Sequence, residues 1–142
     1  MKSKKRAVLP WAIFAVYCIW MLVLLFDREQ AAQSLNLEPL RTIRLFIRVL
    51  LYDPSQYNIR LAIVNLFGNI ALFVPLGYFL PRLWEGLRKW WRTWLATLLV
   101  MTAVELTQLF TLRGTCDVDD LILNLLGAAI GYGIFCLFKK DR

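Results

Sequence analysis

The chain has 142 residues, 59% apolar and 14% aromatic, with six Trp and no His. Water-soluble domains are about 45–50% apolar, so composition excludes that class and points to an integral membrane protein forming one domain over residues 1–142. The missing histidines exclude Ser-His-Asp and Cys-His nucleophiles and His-ligated zinc, while the net charge of +7 takes its meaning from a bilayer rather than from a nucleic acid partner.

The first apolar run, residues 8–26, follows the basic residues Lys2, Lys4, Lys5 and Arg6. It exceeds the roughly 7–15 apolar residues of a signal peptide and no small-residue cleavage site follows, so an uncleaved anchor is expected. From 39 to 52, Arg41, Arg44 and Arg48 recur at i, i+3 and i+7, with Ile43, Phe46, Ile47 and Leu50 on the opposite side. That pattern predicts an amphipathic helix lying in the membrane interface. The arginines meet bulk lipid phosphates on one reading and clamp a particular phosphorylated headgroup on another.

Three more runs follow, 61–80, 93–112 and 121–138, each near the 20 residues needed to cross the hydrocarbon core. Backbone groups in lipid must be satisfied within the segment, so all four runs are expected as helices. Pro75 frees the Ala71 carbonyl and bends the second span. The predicted architecture is all-α, with four transmembrane helices and one interfacial helix.

Orientation follows from Lys and Arg on alternate sides. Lys2, Lys4, Lys5, Arg6, Arg82, Arg88, Lys89, Arg92, Lys139, Lys140 and Arg142 fall on one side. Arg28, Arg41, Arg44, Arg48, Arg60 and Arg113 fall on the other. Both termini are therefore expected in the cytoplasm, with the interfacial helix on the extracytoplasmic side.

In this topology the strongly polar intramembrane residues gather in the outer leaflet. Asn65 and Asn69 share a face of the second span, and Glu105, the one charge inside any span, shares a face of the third with Gln108. Arg113 precedes Cys116, Asp117, Asp119 and Asp120, and Asn124 stands one turn into the fourth span. A polar cavity open to the outer leaflet is expected, with Arg113 as counter-charge and Asp119 or Asp120 capping the fourth span. The amides serve equally well as interhelical glue, and Glu105 as half of a structural ion pair. Gly127 and Gly131 form a G-x-x-x-G that admits a close neighbouring helix. Cys18, Cys116 and Cys136 form no disulfide framework. Asp117, Asp119 and Glu105 offer hard oxygen ligands for a metal, but the EF-hand spacing would need Gly where Ile122 stands, so no cofactor or metal is assigned.

Three blocks resemble the VanZ-like family of small bacterial membrane proteins. They are Asn36-Leu-Glu-Pro-Leu40; the run from Gly68 to Tyr78, similar to G-N-x-x-x-F-x-P-x-G; and Glu105-x-x-Gln108 followed by Arg113, Asp117, Asp120, Asn124, Gly127 and Gly131. Leu40 departs from the aromatic that the family carries after the proline. The resemblance implies a multi-pass protein of the bacterial cell membrane and a process, resistance to the lipoglycopeptide teicoplanin, without supplying a reaction. One mechanism is binding of membrane lipid, lipoglycopeptide or wall-precursor lipid by Asn65, Asn69, Glu105, Gln108, Arg113, Asp117, Asp119, Asp120 and Asn124, aided by Arg41, Arg44 and Arg48. A second is a carboxylate-dependent hydrolase or transferase in which Glu105, Asp117, Asp120 and Arg113 are catalytic. A third is a structural partner of another membrane complex.

Overall fold

The computed structural model describes residues 2–26, 38–52, 55–111 and 118–139, together with side-chain surroundings except those of 2–7, 56, 57 and 109. The described residues form five helices, α1 (Lys2–Phe26), α2 (Arg41–Tyr52), α3 (Gln56–Leu83), α4 (Trp90–Thr111) and α5 (Val118–Phe138), with a 3-10 turn, Glu85–Leu87, between α3 and α4. No strand occurs among the described residues.

The boundaries differ from the apolar runs for local reasons. α3 begins five residues before the expected 61 because Ser55, in extended conformation, accepts a hydrogen bond from the Asn58 amide and so starts the helix ahead of the apolar stretch. It also runs through Pro75 and Pro81 to Leu83. Near Pro75 the Tyr17 hydroxyl donates to the Leu72 carbonyl at 2.7 Å, supplying a donor where the proline ring disturbs the backbone ladder. α2 starts at Arg41 rather than 39 because Leu40 sits at φ 65°, outside helical space.

Residue pairings fix how the helices run. Trp11 stacks edge-on against Trp84 at 4.8 Å while Tyr17 reaches Leu72, so α1 and α3 are antiparallel. Gln108 Nε2 donates to the Leu25 carbonyl at 2.8 Å, placing the C-terminal ends of α1 and α4 together. Tyr132 donates to the Arg88 carbonyl at 2.8 Å, bringing the end of α5 to the start of α4.

α3 and α5 run in parallel and touch through backbone. A Cβ on Gly127 would lie 2.1 Å from the Ile70 oxygen, one on Gly131 2.0 Å from the Val74 oxygen, and one on Gly77 2.0 Å from the Ala128 oxygen. Only glycine permits that approach, and it brings the two helices into the contact expected of small residues in lipid. One end of the bundle therefore holds the start of α1, the end of α3, the 3-10 turn, the start of α4 and the end of α5. The opposite end holds α2, the start of α3 and α5, and the ends of α1 and α4.

Among the described residues, three helices are long and apolar enough to cross a membrane, within Val8–Phe26, Asn58–Leu83 and Val118–Phe138. Along α4 the apolar stretch is interrupted by Arg92, five Thr, Glu105 and Gln108. The hydroxyls of Thr107 and Thr111 return to the Ala103 and Thr107 carbonyls at 2.7 Å, and the Thr93 hydroxyl donates to Leu87 at 2.6 Å. The interior is built around Tyr17, Met21, Leu25, Phe73, Leu76, Leu80, Met101 and Val104.

Candidate functional site

The first turn of α5 organises the end of the bundle that carries α2. A helix needs an acceptor for its leading N–H groups, and Leu40, whose carbonyl accepts the first bond of α2 from Arg44 at 2.9 Å, has no side-chain oxygen to provide one. Asp119 does so from another helix. Its Oδ1 accepts from the Leu40 amide and its Oδ2 from the Thr42 amide, both at 2.5 Å, and the residue is 2% exposed. One carboxylate thus performs both halves of a capping box across 79 residues of sequence. The sequence predicts Asp119 or Asp120 as the cap of α5; these Asp119 bonds go to the positive end of α2, where its charge faces two backbone donors.

Asp120, the next residue, accepts from the Asn69 amide of α3 in a short hydrogen bond. Asn69 is buried, so this polar pair is enclosed between the two parallel helices just outside their glycine contact. Asn124 is 2% exposed, with its Nδ2 3.5 Å from the Met101 sulfur of α4. Glu105 is half-buried and its Oε2 lies fully inside the protein.

The sequence-derived residues therefore separate into groups. Asn69, Asp119, Asn124 and Gln108 are buried and Asp120 is half-buried, and all five bridge one helix to another. Asn65 is exposed and lines a groove instead. That groove, about 170 Å³ in volume, lies between α2 and α3 and is walled by Arg41, Thr42, Leu45, Phe46, Ala62 and Asn65. Phe46 meets Phe67 edge-on at 6.0 Å and holds α2 against α3 beside it. Arg44 donates to the Pro39 carbonyl at 3.0 Å and pairs with Glu38 at 3.8 Å, while Arg48 is exposed along α2. Arg113, Cys116 and Asp117 lie outside the described residues.

Three participants were not singled out from sequence: the amides of Leu40 and Thr42, and the groove wall formed by Leu45 and Ala62. The signal for the first was a helix start with Leu where a capping side chain is expected, which demands an acceptor from elsewhere. Among the described residues no cluster of three or more Cys, Asp or Glu could hold a metal ion. Chemically, the groove offers one guanidinium and one amide above an apolar floor, a combination that suits an anionic group carried on a hydrocarbon chain.

No curated protein and no solved structure matches the chain. The family model described as VanZ/LLP1 matches residues 12–139, which take in α2, the whole of α3 with its groove face, and the first turn of α5 with Asp119 and Asp120. With the match extending over nearly the whole length, the chain belongs to the VanZ/LLP1 family.

Proposed function

We propose that the protein binds an amphiphilic ligand of the cell envelope in the groove between α2 and α3, in the outer leaflet of the bacterial cell membrane. In this reading α1, α3, α4 and α5 all cross the bilayer, both termini are cytoplasmic, and α2 lies in the outer interface. The 22 residues of α4 reach about 33 Å at the helical rise, enough for a hydrocarbon core of about 30 Å.

The observation that carries the proposal is the groove lining. Arg41 is placed to take a phosphate or carboxylate, Asn65 to hydrogen-bond next to it, and Leu45, Phe46 and Ala62 to take the first carbons of a chain. At about 170 Å³ the groove is smaller than the roughly 300–1,000 Å³ that encloses a drug-sized molecule, so it grips one end of an amphiphile while the remainder lies in lipid. A wall-precursor lipid or a lipoglycopeptide of the teicoplanin type has that form, and capture of either supports resistance.

Binding is preferred to catalysis because both Asp119 oxygens, one Asp120 oxygen and the Gln108 Nε2 are engaged in holding α2, α3 and α1. The test incubates the purified protein in liposomes with teicoplanin or wall-precursor lipid. Saturable retention with unchanged ligand mass, weakened at least fivefold in Arg41→Gln, supports the proposal. A new product mass that disappears in Glu105→Gln would replace binding with hydrolysis or group transfer.

A further inference from the structure

The charge of the described side chains is divided unequally between the two ends of the bundle. At the end opposite α2, they include the cations Arg82, Arg88, Lys89, Arg92 and Lys139 against the acid Glu85. At the α2 end, the described arginines Arg41, Arg44, Arg48 and Arg60 are matched by Glu38, Glu105, Asp119 and Asp120. Among the described side chains one end thus carries an excess of four positive charges, whereas the other is balanced.

The described part of the basic end is a shaped surface. Tyr132 ties α5 to the Arg88 carbonyl, and Arg92 Nη1 donates to the Gly86 carbonyl at 3.0 Å with its guanidinium 5.1 Å from the Trp91 ring. Arg88 is neutralised by Glu85 at 3.1 Å. Arg82 near the end of α3, Lys89 just before α4 and Lys139 just after α5 are all exposed. Immediately beside them the surface becomes apolar: Trp90 is 61% exposed, Phe138 72% and Leu137 84%. Indole rings favour the headgroup level, with hydrocarbon on one side and water on the other.

We infer that this end holds an anionic phospholipid, with its phosphate against Arg82, Lys89 and Lys139 and its acyl chains along Trp90, Leu137 and Phe138. Charge complementarity selects an anion, and the adjoining exposed hydrocarbon selects a lipid over a soluble phosphate or a nucleic acid. The site lies at the opposite end of α3 from the ligand groove and does not depend on the function proposed for it.

Native mass spectrometry of the intact protein, released from detergent containing equal phosphatidylglycerol and phosphatidylcholine, tests the inference. Preferential retention of phosphatidylglycerol is expected. Each of Arg82→Gln, Lys89→Gln and Lys139→Gln should weaken it about fivefold, and the three together about a hundredfold, while Arg60→Gln at the other end leaves it unchanged. These exposed replacements leave the helix contacts intact, and circular dichroism confirms that the triple variant is folded. Equal retention of both lipids, loss in Arg60→Gln as large as in the triple variant, or full displacement by soluble glycerol phosphate would each overturn it.

Discussion

Replacing Asp119 tests the most economical feature of the site, a single carboxylate that closes the N-terminus of a helix belonging to a different part of the chain. In Asp119→Ala the amides of Leu40 and Thr42 lose acceptors at 2.5 Å. Hydrogen bonds to a charged group are worth about 1.5–3 kcal/mol each, but Leu40 is 49% exposed, so water replaces part of what is lost. Measured N-cap removals, about 0.5–2 kcal/mol, set the lower bound. A local loss of about 2–3 kcal/mol is therefore expected. Asp119→Asn should lose about half as much, because its amide oxygen still accepts one N–H while its NH2 group opposes the other donor.

The loss should be confined to α2. The glycine contact of α3 with α5 and the Gln108 bond to α1 do not involve Asp119, so the bundle should remain assembled. Hydrogen exchange of the peptide covering residues 38–46 should accelerate about 30- to 150-fold in Asp119→Ala, as 2–3 kcal/mol of local opening requires, with peptides from α3 and α5 unchanged. Ligand retention should fall as well, although Asp119 does not line the groove, because α2 carries Arg41, Thr42, Leu45 and Phe46 into its wall. Unchanged exchange at the start of α2, together with lost retention, would refute the clamp and return Asp119 to a direct ligand contact.

Gly131→Ala would place a Cβ 2.0 Å from the Val74 oxygen, backbone against backbone, so α3 and α5 must part; about 1–3 kcal/mol of overpacking cost should appear as lower thermal stability in detergent. Gly133→Ala, with no atom within 4 Å, should instead be neutral or stabilise the helix by up to about 1 kcal/mol. Leu40→Gly should retain or improve protection of α2 because φ 65° costs a non-glycine residue about 1–2 kcal/mol, whereas Leu40→Val should weaken it; equal exchange in the two variants would contradict the left-handed turn. An impermeant maleimide applied to intact cells should label one cysteine, with labelling lost in Cys116→Ser, if the topology proposed from the Lys and Arg distribution holds; labelling only after permeabilisation would invert that topology.

Hydropathy and periodicity located the helices because a bilayer imposes both length and internal hydrogen bonding on anything that crosses it. Residues 8–26 and 121–138 nearly coincide with the apolar parts of α1 and α5, and the Arg41, Arg44, Arg48 spacing marks α2. The glycines at 127 and 131 announced a close neighbour, and the structure supplies it as the backbone of α3. Sequence could not say which partner each polar group would choose. A carboxylate in the first turn of a helix satisfies the same rule whether it caps its own helix or a foreign one, and only the approach of α2 decides between them. Asn65 and Asn69, alike in spacing, diverge for the same reason: Asn69 meets Asp120 while Asn65 opens on the groove.

Asp119 and Asp120 show why neighbouring acids at this position need not share a role. Consecutive side chains leave a helix about 100° apart, so they cannot both point toward one small ligand. Here the rotation directs Asp119 to the amides of α2 and Asp120 to Asn69 of α3. The start of α5 is thereby fastened to both walls of the groove, with Arg41 on one and Asn65 on the other. The spacing of that guanidinium and amide is consequently set by a pair of carboxylates that do not line it. A ligand that separates α2 from α3 must work against the Asp119 bonds, whereas one that fits the existing gap leaves them intact, and this favours a narrow anionic end group over a bulky one.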